Sequence, residues 1–177
     1  SEMPKQEDGL MWGFQLWVNR PAGLKMTTPA YQDIPAEDVP DVVVADGVTA
    51  RVIAGSVGDV EGPVSGVVTE PLYLDVYMQS LKTVDLVVPS THNAFVYVYG
   101  GTVTVGDNSA VEIASGEIAL LEQDGSPVVR VTANEDSRVL LVAGKPIGEP
   151  VARHGPFVMN TAAELQQAFL DYQSGRF

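Results

Sequence analysis

The sequence predicts an all-β sandwich or barrel with one helix at its C-terminal end, and three observations carry that reading. Short runs of alternating apolar and polar residues recur roughly every ten residues from Val42 onward, broken by turn-forming residues. The stretch Ala94-Phe-Val-Tyr-Val-Tyr-Gly-Gly-Thr-Val-Thr-Val-Gly106 places two such runs on either side of a glycine pair. A convincing helical spacing of apolar residues occurs once, after Thr161.

The chain has 177 residues, 45% of them hydrophobic, which is enough for one well-packed domain with an appendage and argues against disorder. Ten basic residues against 23 acidic ones give a formal charge of −13, spread along the chain. A field of that sign opposes phosphate backbones and anionic membranes, so direct nucleic-acid binding is not expected. There is no cysteine, which removes disulfides and thiolate metal sites and fits a reducing compartment. No apolar run approaches the ~20 residues that span a bilayer, and no leader pattern is visible. The expectation is a cytoplasmic protein that neither spans nor coats a membrane. The chain starts at Ser1 rather than methionine, so a fragment or processed product is expected.

Taken in order, residues 1 to 9 are polar. Leu10 to Val18 then puts Trp12, Phe14, Leu16 and Val18 on one side of a period-two run, which reads as a buried strand. Four prolines between residues 21 and 40 make the next segment a linker or covering arm. The division is therefore 1–40, appendage and arm, and 41–177, the β-domain. Its strands are expected at Asp41 to Ala45, Val48 to Ala54, Leu72 to Gln79, Thr83 to Val88, Ala110 to Ala114, Glu117 to Glu122, Pro127 to Thr132 and Arg138 to Ala143. The Gly-rich segment from Gly55 to Gly66 lacks the order of a phosphate cradle and reads as a surface loop.

The run around Gly100 and Gly101 reads as a β-hairpin with a two-residue turn, Tyr99 facing Thr102 and Val98 facing Val103. That register puts Val96, Val98, Val103 and Val105 on one face. At the C-terminal end Thr161-Ala-Ala-Glu164 forms a capping box, Leu165, Ala168, Phe169 and Tyr172 follow at helical spacing, and Gly175 supplies a stop. A helix over 162–173, docked on the sandwich, is the expectation.

Catalytic raw material is thin. There are two histidines and no G-x-S-x-G elbow. His92, just before the Gly-Gly run, could point into a small barrel, but a lone histidine is more often a hydrogen-bonded structural residue than a ligand. His154, in a Gly-Pro turn before the helix, favours the structural reading more strongly.

Ser1-Glu-Met-Pro, Trp12-Gly-Phe-Gln-Leu-Trp-Val-Asn, Lys25-Met, Pro29, Tyr31-Gln and Ile34 resemble the middle of a pirin. Gly144-Lys-Pro-Ile-Gly-Glu-Pro-Val, Gly155-Pro-Phe-Val-Met-Asn-Thr, Glu164 and Gln167 are similar to pirin C-termini, so the resemblance brackets nearly the whole chain. It implies a bicupin: two jelly-roll β-barrels, with Fe(II) or another divalent metal only in the N-terminal one. Family members are described as quercetin 2,3-dioxygenase-like oxidoreductases or as redox-responsive cofactors of transcription regulators. Three histidines and one glutamate hold the metal, the last two within a His-Ser-Glu stretch, and Ser1-Glu2 matches its end. Glu2 is thus the one metal-ligand position present, and 1–40 the remnant of the first cupin.

Laid over the second cupin, the family's motif positions become His92, Ala94, Val98 or Tyr99, and Ala119. One donor out of four cannot satisfy a divalent ion, so this cupin-type domain is expected to be metal-free and, with no catalytic residue of its own, non-catalytic. The longer protein's expected partners are a flavonol-like small molecule or a regulatory protein reading an acidic surface. The aromatic run 10–18 should fold back, pair with a second copy or swap between protomers.

Overall fold

The computed structural model describes residue 9 and residues 13–107, 109–122 and 126–176. These form two compact units: Thr27–Gly148, and the described residues through Met26 together with those from Glu149 onward.

The larger unit is built from twelve strands: β1 (Asp41–Ala45), β2 (Val48–Ala54), β3 (Ser56–Val57), β4 (Val60–Glu61), β5 (Leu72–Met78), β6 (Thr83–Val87), β7 (Asn93–Gly100), β8 (Thr102–Val105), β9 (Val111–Ala114), β10 (Ile118–Leu121), β11 (Val128–Ala133) and β12 (Ser137–Gly144). Ten of them make two antiparallel sheets, ordered β1-β2-β5-β12-β7-β10 and β6-β11-β8-β9. This is the predicted jelly-roll sandwich, and the strands predicted from Asp41 onward all form, with ends shifted by at most a residue or so.

The core follows from period two. Val48, Ala50 and Val52 on β2 and Leu74, Val76 and Met78 on β5 are buried facing the other sheet, which sends Val84, Leu86, Val103 and Val131 to meet them. Each such Val or Leu contributes roughly 1.5–3 kcal/mol by leaving water. The central strand β12 is buried on both faces, with even Leu140 and Val142 below 10% exposed. Its sequence is correspondingly a continuous apolar run rather than an alternating one.

The expected hairpin at Gly100 and Gly101 does not form. β7 pairs with β12 and β10, whereas β8 pairs with β11 and β9, so the chain crosses here from one sheet to the other. A two-residue type I′ turn needs positive φ at both positions, and of the two glycines Gly101 alone has it, at +71°. Gly100 instead completes β7 opposite Arg138. A Cβ on Gly101 would lie 2.5 Å from both the Asp136 carbonyl oxygen and Ser137 Oγ, so the crossing is pressed against the start of β12. The face assignment does hold: Val96, Val98, Val103 and Val105 all point into the core, from opposite sheets.

Two further expectations need correction. The segment 55–66 is not a plain loop, because β3 and β4 pair within it and Val57 and Val60 pack against the core. The strand expected over 10–18 is absent where it is described: residues 13–18 adopt no regular structure, and Trp17 is 69% exposed. Alternation alone does not make a strand; a ladder partner is required.

The smaller unit pairs β13 (Ala152–His154) with β14 (Phe157–Met159) and continues into helix α1 (Ala162–Gln173). The capping box is complete: Thr161 Oγ1 accepts the Glu164 amide and Glu164 Oε2 accepts the Thr161 amide. The Thr161 hydroxyl and the backbone amides of Asn160 and Thr161 hold the Glu164 carboxyl below the usual carboxylate range. The helix lays Phe169 edge-on to Phe157 and His154, at 4.9 and 5.3 Å between ring centres. Phe169 of its apolar stripe thus packs on the β13–β14 hairpin that precedes it, while Tyr172, edge-on to Phe157, stays largely exposed. Glu149 ties the unit together, accepting from the Ala22 amide and the Asn160 side chain, each at 2.7 Å. No helix among the described residues is long and apolar enough to cross a membrane.

Candidate functional site

His92 is the residue around which a site can be built. After β6 the chain turns at Pro89, whose carbonyl accepts the His92 amide at 2.9 Å, and the ring swings under the loop that leads into β5. It is 6% exposed. Nε2–H donates to the Glu70 carbonyl at 3.1 Å, leaving Nδ1 to accept from the Thr91 hydroxyl at 3.3 Å. Glu70 itself sits at φ +47°, an unusual conformation for a residue with a side chain. Lys145 Nζ reaches its carboxylate at 3.2 Å. His92 therefore acts as a strut beneath a strained turn.

The other expected motif positions bring no donors to it. Ala94 and Val98 point into the core from β7, Ala119 is a partly buried methyl on β10, and Tyr99 lies on the opposite face of β7. Tyr99 Oη donates to Asp75 Oδ1 on β5. Burial first, and then the adjacent Asp75 carboxylate, push the Tyr99 phenol up to about 12. Both imidazole nitrogens being engaged and the remaining corners being methyl, isopropyl or a bound phenol, these residues do not fit a divalent metal. Among the described residues no three His, Asp or Glu side chains are grouped to hold an ion. His154 lies exposed on β13 against Phe169, in a structural position. Glu2 lies outside the described residues.

A feature that sequence reasoning missed adjoins His92. Where the six-stranded sheet ends at β1 and the four-stranded sheet at β6, the sandwich opens into a cleft of about 700 Å³. Its floor and walls are Val42, Val44, Leu72, Leu74 and Leu86, and its rim carries Ser56, Glu70, Asp85 and His92. Arg130 Nε and Nη2 grip the two oxygens of Asp85 at 2.7 Å, while Nη1 binds Asp107 at the same distance. That guanidinium holds the Asp85 carboxyl below the usual range. The apolar alternation of β1 was visible in the sequence, but not that β1 would lie at an open end of the sandwich.

A family model described as the pirin C-terminal cupin domain matches residues 73–177. A pirin-like protein of Caulobacter vibrioides is 46% identical over the whole chain, which covers 63% of that relative. Human pirin is 36% identical over 99% of the chain and 60% of its own length. The crystal structure of a quercetin 2,3-dioxygenase from Acinetobacter baumannii superposes with a TM-score of 0.84 at 34% identity, covering 91% of this chain and 55% of that one. The chain thus spans roughly three fifths of the length of the curated relatives it matches.

Proposed function

The chain belongs to the pirin family, and from that premise we propose that it is the non-catalytic cupin portion of a larger metal-dependent oxidoreductase of the quercetin 2,3-dioxygenase type. The observation that carries this reading is the donor set at the second cupin's motif positions, where one hydrogen-bonded imidazole stands beside alkyl groups. In this reading the metal, iron or another divalent ion, belongs to residues beyond this sandwich, with Glu2 contributing one donor. The substrate would be a flavonol-like molecule, as the name of the Acinetobacter relative suggests.

The test compares the chain with a version extended to the length of its relatives, each given iron(II) and quercetin in an oxygen electrode. Oxygen uptake by the extended protein and none by the chain is the expected outcome. Turnover by the chain alone would overturn the proposal.

A second reading, a regulator that binds a protein partner according to metal or redox state, draws on one observation. The edge strand β10 leaves Ile118 53% and Leu120 78% exposed, beside Tyr97 and Phe95 of β7. Uncovered aliphatic side chains at an unprotected sheet edge suit a protein partner. Metal binding by the extended protein without oxygen uptake would favour this second reading.

A further inference from the structure

We propose that the cleft between β1 and β6 is a second ligand site, taking an aliphatic molecule with a hydrogen-bond-donating head group, a hydroxyl or an ammonium. The size is that of a small-molecule site: about 700 Å³, within the roughly 300–1,000 Å³ that such clefts occupy.

The lining selects the chemistry. The walls are Val, Leu and Pro, with no Phe, Tyr or Trp among the described lining residues, so a flat aromatic ligand finds no ring to stack on while a flexible alkyl body finds continuous apolar contact. Val42 and Val44 are only partly buried although they face the interior, so a ligand covering them removes apolar surface from water at roughly 25 cal/mol per Å². The polar residues at the rim carry oxygen side chains: Ser56, Glu70 and Asp85, the last with both carboxylate oxygens held by Arg130. Glu70 is paired with Lys145, and Asp85 and Asp107 share Arg130, so these five groups together keep one net negative charge, and the whole chain carries −13. A donating head group is complementary to that rim; a carboxylate head is repelled.

An added peptide strand is the rival occupant, since β1 and β6 are both sheet edges. Cα atoms of the two strands come within 8 Å of each other, less than the roughly 9.6 Å that two strand spacings require. β1 is also irregular, its register with β2 shifting between Val43 and Ala45, which blunts an edge.

The test titrates 1-octanol, octylammonium and octanoate separately into the protein, following the methyl resonances of Val42, Val44 and Leu72 by NMR and the heats by calorimetry. Octanol and octylammonium are expected to shift these methyls with one-to-one stoichiometry, and octanoate to bind at least about tenfold more weakly than octylammonium. Val44→Trp, which fills the cleft from β1, is expected to abolish binding. Glu70→Gln, at an exposed side chain, is expected to weaken octylammonium by about threefold and octanol, which carries no charge, by less. No methyl shift in the wild-type protein, undiminished binding by folded Val44→Trp, or octanoate binding as tightly as octylammonium would each overturn the proposal. So would a Lys-flanked alternating Val-Thr peptide that shifts the same methyls where octanol does not, an outcome that assigns the cleft to strand addition.

Discussion

His92 Nε2 lies 3.1 Å from the carbonyl oxygen of Glu70, and this bond fastens a left-handed residue at the lip of the cleft. Replacing His92 with Ala leaves that carbonyl without its donor in a partly buried place, so a loss of about 1–3 kcal/mol in urea unfolding is expected. Hydrogen exchange should quicken first across residues 67–72. Adding Glu70→Gly to the same protein should return part of the loss, because glycine relieves the positive φ. An unchanged unfolding midpoint in His92→Ala would show that the ring supports nothing.

The two central glycines should respond differently. Gly101→Ala combines a φ of +71° with contacts of 2.5 Å to the Asp136 carbonyl and Ser137 Oγ, and is expected to cost at least about 2 kcal/mol. Gly100→Ala meets Arg138 Cβ at an ordinary 3.5 Å and should stay within about 1 kcal/mol. Parallel denaturant titrations of the two variants check this, and equal losses would contradict the crossover geometry.

Tyr99 gives an alkaline signature. Its phenol titrates at about 12 in the folded protein, against about 10 in an unfolded chain. A raised value means that the native state holds the proton more tightly. The stabilisation is therefore complete below about pH 10 and is lost as pH rises through about 12. Burial raises the Tyr73 phenol as well, so ultraviolet difference titration should show late tyrosines of which the component near pH 12 is lost in Tyr99→Phe, and the variant should lose less stability than wild type across that window.

The helix cap can be tested alone. Thr161→Ala removes the hydroxyl that accepts the Glu164 amide at 3.2 Å and should cost about 1 kcal/mol. Faster amide exchange over 162–173, with the β5 and β12 amides unchanged, is the expected pattern.

Legibility followed the range of the interaction. Helix α1 could be read to its last residue because a capping box and a 3.6-residue spacing are local features, and the strands could be read because alternation is local too. The inward direction of Val96, Val98, Val103 and Val105 was likewise fixed by parity along the chain. Which strand sits beside which was not, since a Gly-Gly pair between two strands serves a hairpin or a change of sheet equally well, and the partners that β7 and β8 take, β12 and β11, lie far along the chain. The described part of the run from 10 to 18 failed for the same reason: parity was present, yet residues 13–18 enter no strand. At the site, His92 was legible as a structural histidine from the poverty of donors around it. The cleft was not, because it arises where two sheets of unequal width end.

The position of β12 has a kinetic corollary. This strand joins β5 on one side and β7 on the other, yet it is the last of the sandwich strands in the chain. Until Ser137–Gly144 leaves the ribosome, β1-β2-β5 and β7-β10 remain unjoined halves of the six-stranded sheet. Synthesis therefore keeps a nascent chain aggregation-prone almost until the sandwich is complete, and closure arrives as one late step.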